Sequence, residues 1–254
     1  MVPIQQSQKF LSLTKMQQVF DAIVLRSRNY SDTSVILRCY SKQKGIISII
    51  ARGVKKKKNH VMGLLQPLSM VEIVSYSRKA DAELKSLKEI KSNFFYTSLH
   101  SDPLKLGLTM FLAEVLELTL KEEEPNELLF DFLETSFHYL DDLDDYANFH
   151  ISFLIELTKH LGFYPHLDNE SKMYFDLEYG VFYDFDKNTP YLFSGEIIQN
   201  LKNFLGTNFV ESNSVVLNKQ QRNNLLKLIM QYYTLHISSF REPKSLEVLK
   251  ALYS

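Results

Sequence analysis

The stretch TSVILRCYSKQKGIISIIARGVKKKKNH, residues 33–60, decides the fold. Residues 33–40 alternate: Val35, Leu37 and Cys39 fall on one face, and Ser34, Arg38 and Tyr40 on the other. A period of two is what a half-buried strand requires. Residues 41–45 read as a turn and residues 45–52 as an isoleucine-rich strand. Four lysines then follow in a row, Lys55, Lys56, Lys57 and Lys58. A solvated loop is the plain reading of such a run, and a grip on phosphate the specific one.

Working outward, residues 19–26, 67–76 and 84–91 also read as strands. The breaks are turn-like, at Asn29-Tyr30-Ser31-Asp32, at 41–45 and at 77–81. Five short strands with no long helix between them predict a small β-barrel. Past residue 92 the period changes. Asp102-Pro103 is a helix start, since Asp can cap and Pro is tolerated at the first helical position. Leu104, Leu108, Phe111, Leu112, Val115 and Leu116 then build one apolar face. A second helix opens at Glu124-Pro125 and a third covers 146–161, ended by Gly162. Asn218 and Gln221 match a capping box before a long helix, and a short one starts near Pro243. Residues 173–193 differ in texture, aromatic and acidic, and read as a small hairpin turning at Glu178-Tyr179-Gly180. The fold class is therefore α+β and multidomain: a barrel over 16–92, then a helical domain over 93–254 with a small hairpin insertion. Residues 1–15 are expected to be a disordered extension or an upstream start.

The net charge of −1 conceals an asymmetry. Residues 1–91 hold 17 Lys/Arg against 6 Asp/Glu, and residues 92–254 hold 12 against 24. A basic module joined to an acidic body points to a polyanionic partner, either nucleic acid or an acidic membrane surface. The single cysteine, Cys39, excludes an internal disulfide and suits a reducing, cytoplasmic setting. No apolar run reaches the roughly 18–20 residues of a membrane span.

Nothing in the sequence nominates an enzyme. Only 8 glycines occur, and none is spaced as a phosphate-binding loop or a nucleophile elbow. His160 and His166 lack a cysteine or carboxylate at matching spacing, so no metal is expected there. The acidic runs at Asp141-Asp142-Leu143-Asp144-Asp145 and at Asp184 and Asp186 read as solvated faces.

The basic residues form a set instead. Arg26, Arg28 and Arg38 lie on or beside the first two strands, and Lys42 and Lys44 in the next turn. Arg52, Lys55, Lys56, Lys57 and Lys58 end the third strand, and Arg78 and Lys79 follow the fourth. Each lysine near a phosphate releases a condensed counterion, which gives strong, salt-sensitive, sequence-blind binding. Tyr30, Tyr40 and Tyr76 are interleaved with this charge and are candidates for base stacking. An RNA- or ribosome-binding module of the same barrel type is the alternative to a DNA-binding one.

The order Ala22-Ile23-Val24-Leu25, Asp32, Gly45, Ala51-Arg52-Gly53, the lysines, then Leu65-Gln66-Pro67 resembles the N-terminal domain of the bacterial RecO recombination-mediator proteins. The segment from Tyr232-Tyr233 through His236, Phe240-Arg241, Lys244-Ser245-Leu246 and Leu249 is similar to that family's close. The resemblance spans residues 17–254. It implies an oligonucleotide-binding (OB-fold) barrel followed by a helical domain. It implies binding of single- and double-stranded DNA, annealing of complementary strands, and loading of RecA with the help of RecR. The implied partners are RecR and the acidic, Phe-terminated tail of the single-stranded DNA-binding protein, with Arg241 and Lys244 as partner-binding candidates. Many members carry a four-cysteine zinc site. Here the corresponding region reads Asp168-Asn169-Glu170-Ser171 and Glu178-Tyr179-Gly180, so no cofactor is carried over, and residues 173–193 are expected to be held by aromatic packing.

Overall fold

The computed structural model describes residues 16–56, 60–77, 82–121, 124–166, 168 and 171–252. The expected extension over 1–15 lies outside them.

Five strands, β1 (Met16–Asn29), β2 (Val35–Ser41), β3 (Gly45–Ala51), β4 (Met70–Ser77) and β5 (Leu84–Ser92), close into a barrel in the order β1-β2-β3-β5-β4. The β3–β5 pair is parallel and the others antiparallel. Alternation fills the interior: Phe20, Ala22 and Val24 from β1, Val35, Leu37 and Cys39 from β2, Ile47, Ile49 and Ala51 from β3, and Val71 and Ile73 from β4. Burial pushes the Cys39 thiol up to about 12, so it stays an inert core group.

β1 is longer than its apolar run. Its first half pairs with β4, from Met16 opposite Ser77 to Ile23 opposite Met70. Its second half pairs with β2, from Ala22 opposite Ser41 to Asn29 opposite Val35. An irregularity between Val24 and Arg26 bends the strand from one partner to the other. Such a strand is held by backbone pairing at both ends, where its side chains are mostly exposed.

The opposite faces of the same strands are also buried. Ile23, Leu25, Tyr40, Ile46 and Met70 leave the barrel and join the core of the helical body. That body holds α1 (Pro103–Thr119), α2 (Glu127–Asp142), α3 (Phe149–Leu161), α4 (Glu196–Lys202), α5 (Phe209–Asn213), α6 (Lys219–His236) and α7 (Ser245–Leu252). Caps set the starts. Asp102 accepts from the Leu104 and Lys105 amides (2.8 and 3.2 Å) at α1. At α6, Asn218 and Gln221 exchange the paired bonds of a capping box at 2.9 and 2.7 Å. α2 starts later than Glu124-Pro125, because Asn126 is the cap that accepts from the Leu129 amide (3.0 Å).

Between α3 and α4 the hairpin gains a third strand. β6 (Tyr174–Asp176), β7 (Val181–Tyr183) and β8 (Leu192–Ser194) pair in the order β7-β6-β8. Its packing is aromatic: the Phe175 and Phe182 rings lie 4.5 Å apart, and Phe175 meets Tyr232 of α6 at 5.8 Å. Gly180 makes the β6–β7 turn at φ 67°. A methyl group there would overlap the Tyr232 hydroxyl, which donates to Phe163 O at 2.6 Å. Gly180→Ala is therefore expected to lower stability by about 1–3 kcal/mol, through left-handed strain plus the clash. The urea midpoint checks it, and an unchanged midpoint would contradict the close approach.

Candidate nucleic-acid interface

One end of the barrel gathers cations around an exposed ring. The β1–β2 loop closes on itself, with the Tyr30 and Ser31 amides donating to Ser34 O at 3.0 and 3.3 Å. Tyr30 stands out of it, 63% exposed. Behind β3, Gly53 at φ 73° turns the chain outward into a short 3₁₀ turn, Val54–Lys56. Val54 drops into the barrel core and anchors that turn. Lys55 is tied to the same loop: its amide donates to Thr33 O (3.4 Å) and its Nζ to Ser31 O (3.2 Å). Arg28 is exposed on β1 opposite Ile36. Arg52 is exposed and reaches Ser86 Oγ on β5 at 2.8 Å. Lys56 continues the turn in its backbone. Lys57, Lys58, Arg78 and Lys79 lie outside the described residues. The barrel thus brings Arg28, Tyr30, Arg52 and Lys55 to one end, with the lysine run starting there.

Other members of the basic set face the helical body. Arg26 Nη1 lies 3.2 Å from Glu117 Oε1 of α1. Lys42 sits 2.9 Å from Asp131 and 3.1 Å from Glu127 of α2. Its hydrogen bonds to the Asp131 and then the Glu127 carboxylate hold its ammonium above the ordinary lysine range. Arg241 and Lys244 line a cleft of about 310 Å³ together with Arg26, Met110, Glu114 and Glu117. Glu114 pins that edge by accepting from the amides of Lys244 and Ser245 at 3.1 and 2.8 Å. Arg38 and Lys44 lie on neither surface and line a cavity where barrel and helical body meet.

The tyrosines divide as well. Tyr40 is 3% exposed and stacks on Phe130 of α2, with ring centroids 6.4 Å apart, so it is a docking residue and not a stacking platform. The helical body covers that face of β2. Tyr76 is half-buried on β4. Sequence reasoning missed Lys85 and Lys121, which share the cavity of Arg38 and Lys44. The signal for Lys85 was its strand phase, two residues before the core-packed Leu87.

Among the described residues no group of three or more His, Cys, Asp and Glu side chains is arranged to hold a metal ion. Among them, too, no helix is long and apolar enough to cross a membrane.

Comparisons with known proteins agree with the two-part architecture. Residues 16–94 match the family model for the recombination protein O N terminal domain, and residues 100–247 that for the recombination protein O C terminal domain. The DNA repair protein RecO of Christiangramia forsetii is 39% identical over 234 residues, covering 91% of this chain and 97% of its own length. The DNA repair protein RecO of Flavobacterium psychrophilum is 37% identical over 242 residues, covering 94% of this chain and 100% of its own. That of Phocaeicola vulgatus is 34% identical, with 94% and 100% covered. With both halves matched and near-complete coverage, the chain belongs to the RecO family of DNA repair proteins.

Proposed function

We propose that this protein is a non-enzymatic mediator that binds single- and double-stranded DNA at the barrel end carrying Arg28, Tyr30, Arg52 and the lysine run. It anneals complementary strands there. The observation that carries the reading is the exposed Tyr30 ring set beside Lys55 in one hydrogen-bonded loop cluster. Cations neutralise phosphate so that two like-charged strands can approach, while a π-face holds a base. Lys56, Lys57, Lys58, Arg78 and Lys79 extend the same field, whereas Arg26 and Lys42 are neutralised by Glu117, Asp131 and Glu127, and Arg38 and Lys44 line a separate cavity. With RecR, the protein helps load RecA onto DNA coated by the single-stranded DNA-binding protein. The acidic tail of that protein docks near Arg241 and Lys244. The setting is cytoplasmic, at the nucleoid.

The test is fluorescence anisotropy of a labelled single-stranded oligonucleotide across a salt series. Wild type should lose affinity linearly in log salt, and replacing Lys55, Lys56, Lys57 and Lys58 with Ala should flatten that slope. An unchanged slope would remove the lysine run from the site. RNA outcompeting DNA would redirect the site to an RNA partner. Tyr30→Ala is expected to weaken single-strand binding by about 1–3 kcal/mol through lost stacking. Its melting temperature should stay unchanged, because an exposed ring contributes little to folding.

We further propose that the protein takes no structural zinc, the β6–β8 sheet being held by Phe175, Phe182 and Tyr232. Stoichiometric zinc in the purified protein would overturn this.

A further inference from the structure

The barrel meets the helical body at a cavity of about 190 Å³ lined by Arg38, Lys44, Ser48, Glu83, Lys85 and Lys121. Four of these six carry positive charge and one carries negative charge. The cations come from separate parts of the chain: β2, the β2–β3 turn, β5 and the segment after α1. Arg38 is brought there by alternation, since Leu37 and Cys39 point into the barrel and Arg38 points away. It is half-buried, and its Nε is enclosed with no hydrogen-bond partner among the described residues. Arg38 has no carboxylate partner among them either, unlike Arg26 and Lys42. Lys121 is positioned by a bond from its Nζ to Ser239 Oγ and has no ion-pair partner among the described residues. Lys85 is 2% exposed and donates to Ala82 O at 2.6 Å, which fixes its charge in the wall.

An enclosed guanidinium N–H without an acceptor is costly, and such groups are rare unless an ion or water satisfies them. Guanidinium presents a planar fork that matches an oxyanion in two parallel bonds. The space exceeds several water volumes of ~30 Å³ each, so a phosphate group fits. We propose that this cavity is a phosphate-binding site, with Arg38 as the fork and Lys121 as the counter-charge contributed by the helical body. It deepens the nucleic-acid reading, and rests on it, by giving the DNA path an anchor that bridges both domains. A strand held at the barrel end and at this cavity would touch the barrel and the helical body at once. The oxyanion is a phosphodiester within the strand or a terminal phosphate.

The test uses the full chain and two probes. Inorganic phosphate is compared with chloride at equal ionic strength in a thermal melt of wild type, Arg38→Gln and Lys121→Gln. Phosphate should raise the wild-type melting temperature and leave the Arg38→Gln value unmoved. Next, 5′-hydroxyl and 5′-phosphoryl oligonucleotides are titrated into the same proteins. Arg38→Gln should bind both about 10-fold more weakly, the loss of one charge-assisted bond pair. A loss confined to the 5′-phosphoryl strand supports the same pocket with the terminal group as its ligand. Wild-type affinity in both variants, with no phosphate-specific shift, overturns the proposal. If wild type binds no oligonucleotide, the DNA reading fails, and the phosphate melt alone then decides the cavity. Both variants should melt as wild type does in chloride, which separates lost binding from lost fold.

Discussion

Asp141→Ala is expected to lower the folding free energy by about 3–5 kcal/mol, the scale of breaking a buried charged network. The side chain sits at the end of α2, 3% exposed. Its carboxylate accepts from the Thr97, Ser98 and Leu99 amides at 2.8, 2.8 and 2.6 Å. The Thr97 hydroxyl adds a further bond at 3.0 Å. These three residues are the connection between the barrel and α1, so one carboxylate fixes the path between the two parts. Beside it the buried Lys105 ammonium donates to Asp141 O (2.8 Å) and to Ser98 Oγ (2.6 Å). Removing the carboxylate leaves three amides without acceptors, each costing about 1–3 kcal/mol where water does not reach. It also removes the negative charge that offsets Lys105. For a chain of this size the melting temperature should fall by on the order of 10 °C. Cleavage between Ser92 and Pro103 in limited proteolysis should rise with it. A loss below about 1 kcal/mol would mean that water replaces these bonds and that the linker is not held here.

Asp141 also carries a pH signature. Burial alone would raise its carboxyl, but the Thr97, Ser98 and Leu99 amides more than offset that and hold it below the usual carboxylate range. A depressed folded value means the contribution is complete above the unfolded value of about 3.9 and is lost as pH falls through the folded one. Asp141→Asn should therefore be weaker than wild type at neutral pH and lose less below about pH 4.

The strands were legible because one face of each lines a closed barrel. Val35, Leu37 and Cys39 keep their phase in the structure and are all buried in the barrel core. The ends of β1 were not legible. Gln17, Gln18, Ser27 and Asn29 are held by backbone pairing, which leaves no trace in hydropathy. The same limit applies to the site. Sequence patterning separates the two faces of β2 but does not say whether the second meets solvent or a helix, and Tyr40 meets Phe130. Arg26 and Lys42 read as exposed cations because their acidic partners, Glu117 and Asp131, lie 91 and 89 residues away. Lys121 sat inside the acidic half and was hidden by its neighbours in sequence. The charge asymmetry located the basic module; only the fold sorted its cations between one open end, a docked face and a cavity.

Acidification is expected to weaken the fold through the buried His150 imidazole before the carboxylates titrate. His150 lies in the first turn of α3 and is 4% exposed. Lys219 and Arg222 of α6 and Lys250 of α7 line the cavity beside it. Burial first, and then the Arg222 charge, push the imidazole down to about 3. The positive end of the α3 dipole acts in the same direction. An unfolded chain protonates this group near pH 6.5, so between about 6.5 and 3 the unfolded state binds a proton that the folded state refuses. Stability is complete above that window and falls as pH drops, by up to about 1.4 kcal/mol per pH unit. Between pH 7 and pH 5 the loss from this residue alone approaches about 2 kcal/mol. His150→Leu keeps the volume and removes the proton site. Its urea midpoint is followed against that of wild type from neutral pH downward, and the slope reads the proton site. Its midpoint should then fall more gently from pH 7 to 5. His100 and His160, whose imidazoles burial also lowers, titrate in both proteins and cancel in the comparison. Coincident slopes would show that His150 reaches water in the folded state, and parallel slopes with a lower Leu midpoint would make it a packing residue only.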